Sequence, residues 1–189
     1  MPVYSHCFDN GLKLMEHSWI GNNFVNAVLH EIEDNPTRVA WIGDYSDSFV
    51  KDGCNFGDGF ITCAEYFLEK YQSVWGEYRS VQDIPSDTPQ FKLDFGSTEC
   101  YLVNETKRCY ISMEKYIKQN SVPDMYGSQE VWCINPLPLL TCIGNGMGLG
   151  DYRGELGTKD IGSWVFDKIY ITYLRPGNWK KVMYFFQEK

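Results

Sequence analysis

The chain has 189 residues, 43% of them hydrophobic and 16% aromatic, which supplies enough apolar material for one substantial core. No run approaches the ~18 consecutive apolar residues of a membrane-spanning helix, and the opening MPVYSHCFDN has neither the basic nor the apolar stretch of a secretion signal, so a cytoplasmic protein is expected. The net charge of −8 is uneven, at −6 over residues 1–60, −4 over 61–134 and +2 over 135–189, and without a basic stripe general nucleic-acid binding is excluded.

Leu12 to His17 (LKLMEH) alternates apolar and polar residues as a half-buried strand does. A helix follows, with Phe24, Val25, Val28, Leu29 and Ile32 on one face, Asn22 or Asn23 as N-cap and Asn35-Pro36 as the stop. Arg38 to Tyr45 reads as a core strand leading into an Asp/Gly/Ser-rich loop, Ser46 to Gly59, whose acidic residues lack the spacing of a calcium loop. A second helix is marked by the Thr62/Glu65 capping box and closed at Gly76, with Phe67, Tyr71, Val74 and Trp75 as its apolar face. Prolines and Asp/Ser punctuation then predict a surface connection from Glu77 to Ser97.

Tyr101 to Asn104 and Arg108 to Met113 form a predicted hairpin around Glu105-Thr106-Lys107, with a helical turn at Glu114 to Gln119 and a short strand at Val131 to Ile134. Two prolines in Asn135-Pro136-Leu137-Pro138 suggest an extended lead into a glycine-rich stretch. Beyond it, Trp164 to Leu174 and Trp179 to Gln187 are β-prone and joined by Arg175-Pro176-Gly177-Asn178, which suits a type II turn and predicts a second hairpin. Two helices and about seven strands joined mostly by short turns give an α+β fold. The expectation is a single domain over residues 1–189, an antiparallel or mixed sheet with two main helices packed on it.

The glycine-rich stretch is where the sequence departs from what packing alone requires. Seven of the 17 glycines fall between Gly144 and Gly162, a density that implies positive φ or close approach to the backbone by a ligand or by another strand. Consecutive unhindered N–H groups can cradle an anion. The dinucleotide fingerprint is nevertheless absent, since Leu149 stands three residues after Gly146, and so is the lysine of a phosphate-binding loop. The binding residues this segment offers are Gly144, Asn145, Gly146, Gly148 and Asp151, with Tyr152 and Trp164 as stacking rings, Arg153 and Lys159 as cations, and Ser163.

Catalytic signals are weak. Three histidines (His6, His17, His30) lack zinc spacing, seven cysteines never closer than nine residues exclude C-x-x-C motifs, and G-x-S-x-G is missing around Ser163. Cys142 with His17 is the one thiol-base pair to consider; Asp44, Asp151 and Asp167 are the candidate carboxylates. The cysteines are otherwise expected to be reduced and buried. No catalytic residue, metal or cofactor is assigned. The leading expectation is a non-catalytic protein that binds a small anionic or nucleotide-like ligand through residues 144–164. The alternatives are an acidic protein that blocks a host protein through its N-terminal third and first helix, and a small hydrolase.

Arg38 to Tyr45 together with NPLPLLT, GNGMGLGDYRGE and GSW (Val131 to Asp167) resembles uncharacterised accessory proteins encoded by phages and prophages of gram-positive bacteria. The resemblance covers about a third of the chain and carries no catalytic residues. It implies a small accessory protein made inside an infected bacterial cell, with an anti-defence role among the possibilities.

Overall fold

The computed structural model describes residues 14–42, 99–123, 131–143, 152, 154 and 156–187. The predicted acidic loop, the second predicted helix and the connection after it lie outside these residues.

The fold is α+β, with a mixed five-stranded sheet and helices. Its centre is the hairpin of β3 (Tyr101–Asn104) and β4 (Cys109–Ser112), in register from Tyr101↔Ser112 to Asn104↔Cys109. Helix α1 (Leu14–His17), helix α2 (Asn23–Glu31), β1 (Thr37–Arg38) and β2 (Trp41–Ile42) precede it. After it come α3 (Met113–Asn120), β5 (Val122–Pro123), β6 (Val131–Trp132), α4 (Pro136–Thr141), β7 (Cys142–Ile143), β8 (Lys168–Thr172) and β9 (Lys180–Lys181). The sheet order is β1-β8-β3-β4-β9, antiparallel except for the parallel β4/β9 pair. Two small two-stranded sheets, β2/β7 and β5/β6, stand beside it.

Helix α2 forms as its sequence dictates. Asn22 caps it, its Oδ1 accepting from Phe24 N at 2.9 Å and Val25 N at 3.2 Å, a cap worth about 1 kcal/mol. Phe24, Val25, Ala27 and Leu29 are buried, and Ile32 follows them into the core. Leu102 and Ile111 from the hairpin and Ile169 and Ile171 from β8 meet that helical face.

Four expectations are corrected. The predicted strand from Leu12 to His17 is, over its described part, the single helical turn α1; a run this short cannot separate a period of 2 from 3.6. The Pro136/Pro138 pair begins α4 instead of an extended lead. Asn135 Oδ1 accepts from Leu137 N at 3.0 Å, and both prolines sit in the first turn, where no backbone N–H is needed. The predicted hairpin of Trp164–Leu174 with Trp179–Gln187 does not form. β3 and β4 lie between β8 and β9, and β8 and β9 run parallel, so residues 173–179 cross over the sheet. Trp179 anchors this crossover by packing against Tyr101, Val103 and Tyr110, an apolar contact that a tight turn would leave exposed. The strand predicted from Arg38 to Tyr45 is interrupted: β1 pairs with β8, β2 with β7.

The chain end is fixed by side chains as well as by strands. Asn120 is fully buried; its Nδ2 donates to Tyr184 O at 3.1 Å and its Oδ1 accepts from Phe186 N at 3.0 Å. Tyr116, equally buried, donates to Ile134 O at 3.1 Å. Among the described residues, no helix is long and apolar enough to cross a membrane.

Candidate functional site

The glycine-rich segment leaves and returns at one place. Every residue of α4 is buried, and β7 continues from it, pairing in parallel with β2 through Trp41↔Cys142 and Ile42↔Ile143. Twenty residues on from Cys142, Gly162 N donates to Leu139 O at 2.8 Å and Trp164 N to Leu140 O at 2.7 Å, so the returning chain docks on the carbonyl end of α4. Gly162 has φ +70°, and a Cβ there would sit 2.6 Å from Cys142 O. Only glycine allows the two ends of the loop to meet so closely. Gly144, Asn145, Gly146, Gly148, Asp151 and Arg153 lie outside the described residues.

The described ring residues of this segment belong to the core. Tyr152 is 4% exposed; its hydroxyl reaches Phe186 O at 2.7 Å and also faces Leu156 O, and its ring meets Phe186 edge-on at 5.8 Å. Trp164 is 0% exposed, donates from Nε1 to the Tyr184 hydroxyl at 2.9 Å and meets the Tyr184 ring edge-on at 5.9 Å. Neither ring presents an open face on which a base could stack. Gly154 and Gly157 have structural reasons too: a Cβ at Gly154 would run into the Tyr152 ring, and one at Gly157 (φ +72°) into Phe185 O and Phe186. The Ser163 hydroxyl is buried beside the Tyr184 side chain without a hydrogen bond of normal geometry. Lys159 is exposed on a 3-10 turn, Thr158–Asp160.

Among the described residues, the catalytic candidates Asp167, His30 and Cys142 occupy structural positions. Asp167 accepts from Asn104 Nδ2 at 2.7 Å and pairs with Lys107 Nζ at 3.0 Å, while Lys107 also donates to Ser163 O; the carboxylate thereby ties the hairpin turn to the returning segment. His30 pairs with Glu33 at 3.5 Å on the outside of α2. Cys142 is buried in the core, and the side chain of His17 lies outside the described ones. Burial pushes the Cys100 and Cys133 thiols up to about 12, and that of Cys109 upward, so none of these is a thiolate at neutral pH. Asp44 and His6 fall outside the described residues. No cluster of three metal-binding side chains occurs among those described.

Sequence reasoning missed a second polar constellation, on the face of the sheet away from α2. Tyr101 and Val103 of β3 share that face with Tyr110 and Ser112 of β4, Tyr170 and Thr172 of β8 and Lys181 of β9, as the registers require. Tyr101 meets Tyr110 edge-on at 5.5 Å. Glu99 accepts from Tyr101 OH at 2.7 Å and from Ser112 Oγ at 2.5 Å. The Ser112 donation, followed by that from Tyr101 and by Lys115 and Lys181, holds the Glu99 carboxyl below its ordinary value. Burial first, then Glu99, pushes Tyr101 up to about 12, so its hydroxyl keeps the donating proton. Arg175, on the crossover, lies within electrostatic reach of the Tyr110 side chain. The alternation of Glu99, Tyr101 and Val103 carried a period-2 signal for this face, but nothing local showed that Lys181 lies beside it.

No family model matches the chain, and comparison with curated proteins and with solved structures gives no match either.

Proposed function

We propose that this protein is a non-catalytic binder of a small anionic, nucleotide-like ligand, held by the glycine-rich segment 144–164. The supporting observation is the closure of the loop, with Cys142 and Gly162 held together on the carbonyl end of a fully buried helix. A long connection with pinned ends offers backbone N–H groups at low ordering cost, and loops of such length are commonly functional. Because Tyr152 and Trp164 serve the core, affinity rests on backbone donors and Arg153, with Lys159 at the exposed turn. In the setting the resemblance implies, the protein is a phage or prophage accessory that sequesters a nucleotide signal of a host defence system in the cytoplasm.

A thermal-shift series with mono-, di- and cyclic nucleotides tests this reading, a binder of the folded state raising the melting temperature. Arg153→Ala should weaken binding by roughly 1.5 to 3 kcal/mol, the worth of a charge-assisted hydrogen bond, and leave the unliganded melting temperature unchanged. A series without any shift, or an Arg153→Ala protein that binds as before, defeats the proposal. Loss of activity in Glu31→Gln with Arg153→Ala unaffected would move function to the acidic outside of α2.

A further inference from the structure

The end of the chain runs beside the returning limb of the glycine-rich segment. The Tyr152 hydroxyl reaches Phe186 O at 2.7 Å and also faces Leu156 O, so the backbone at 156 and the backbone at 186 meet at one side chain. Gly157, at φ +72°, lies against the same stretch: a Cβ there would run into Phe185 O and sit 2.7 Å from the Phe186 ring. Lys159 follows two residues on, exposed in the Thr158–Asp160 turn.

Burial divides the side chains of this junction. Tyr184 and Phe186 stack at 6.2 Å and 13° and serve the core: Phe186 is 2% exposed, and the Tyr184 hydroxyl accepts from Trp164 Nε1. Phe185, between them in sequence, leaves the core and is 46% exposed, and Leu156 on the adjoining limb is 39% exposed. Two large apolar side chains left in water at one junction are a cost that a bound apolar surface removes.

We infer that Phe185, with Leu156 beside it on the returning limb, is the stacking platform for the planar base of a nucleotide held by the glycine-rich segment. The platform rests on the anion-binding role proposed for that segment, and it supplies what Tyr152 and Trp164 do not. Those two rings are enclosed, whereas the Phe185 ring is accessible where the loop returns. Lys159 and Arg153, in the same segment, supply positive charge for the phosphate, and Phe185 supplies the π face for the base. Every base has such a face, so the platform distinguishes a nucleotide from a bare sugar phosphate without choosing among bases.

Calorimetric titrations of the full chain with adenosine monophosphate and with ribose phosphate test this, because the two ligands share a phosphate and a sugar and only one carries a base. Wild-type protein should bind adenosine monophosphate about 5- to 150-fold more tightly, the range for one base stacked on an aromatic side chain. Phe185→Ala should erase that preference, and Phe185→Trp, with a larger ring, should keep it. Both variants should melt within about 2 °C of wild type, as befits an exposed side chain. Arg153→Ala should weaken both ligands alike. Equal affinity of wild type for the two ligands, or a preference that survives Phe185→Ala, overturns the platform and leaves the anion site standing. If neither ligand binds wild type, the anion site falls and the platform with it. Ligand-free protein that sediments as a dimer, and as a monomer after Phe185→Ala, assigns the patch to a second copy of the chain and likewise overturns the inference.

Discussion

The two faces of the five-stranded sheet are covered to different depths and built from different chemistry. On the α2 side Leu102, Ile111, Ile169 and Ile171 are all at 0% exposure and carry no polar atoms beyond the backbone. On the other side Val103 is equally inaccessible, yet its neighbours are Tyr101, Tyr110, Tyr170 and Trp179, with Glu99, Arg175 and Lys181 around them. Aliphatic side chains from helices close the first face, and no alternative arrangement of charge is available there. A crossing loop closes the second, and its polar rim can exchange partners with solvent or ligand without disturbing the core. The inner face should therefore respond to loss of volume, and the outer face to charge and pH.

The largest effect is expected from Trp164→Ala, on the inner side. Loss of a fully buried aromatic and of its bond to Tyr184 should cost about 3 to 5 kcal/mol in urea unfolding; a cost below about 1 kcal/mol would show that the ring is not part of the core. Asn104→Ala comes next, at about 1 to 3 kcal/mol, because it strips the buried donor from Asp167 and the acceptor that closes the turn at Lys107 N. On the outer face Glu99→Gln should cost only about 1 kcal/mol at neutral pH, since the carboxylate is partly exposed.

The Glu99 prediction has a pH signature. Its depressed carboxyl contributes stability fully above the ordinary glutamate value of 4.5, and that contribution is lost as the pH falls from there through the folded value. Wild type and Glu99→Gln should thus differ at neutral pH and converge in acid; a constant difference would mean that the charge is not what Ser112 and Tyr101 stabilise. The smallest effect is assigned to Lys159→Ala, on an exposed turn, at within about 0.5 kcal/mol of wild-type stability.

What the sequence disclosed was local. The hairpin at residues 101–112 and helix α2 with its Asn22 cap carry their information within one turn or one helical face. The register of β9 could not be read in the same way. A Pro-Gly pair suits a turn in either a hairpin or a crossover, and Trp179 decides between them through residues some 70 positions earlier, at Tyr101 and Tyr110. Pro136 and Pro138 misled because proline breaks a helix from within yet begins one well, and only Asn135 as a cap distinguishes the two cases. In the candidate site, Tyr152 and Trp164 have the chemistry of rings that could stack, a property that composition cannot separate from being rings that pack.

Among the described residues, the outermost strands of the sheet, β1 and β9, are two residues each, and their sequences are Thr37-Arg38 and Lys180-Lys181. An open sheet border is a template on which a second copy of the chain can add a strand, and long apolar borders promote aggregation. Here each border is too short to pair stably and carries fixed positive charge, which repels the same border of another molecule. The lysines that end the sheet therefore also oppose its growth from one molecule into the next, and replacing both with β-branched apolar residues should favour insoluble assemblies even where the fold is unaltered.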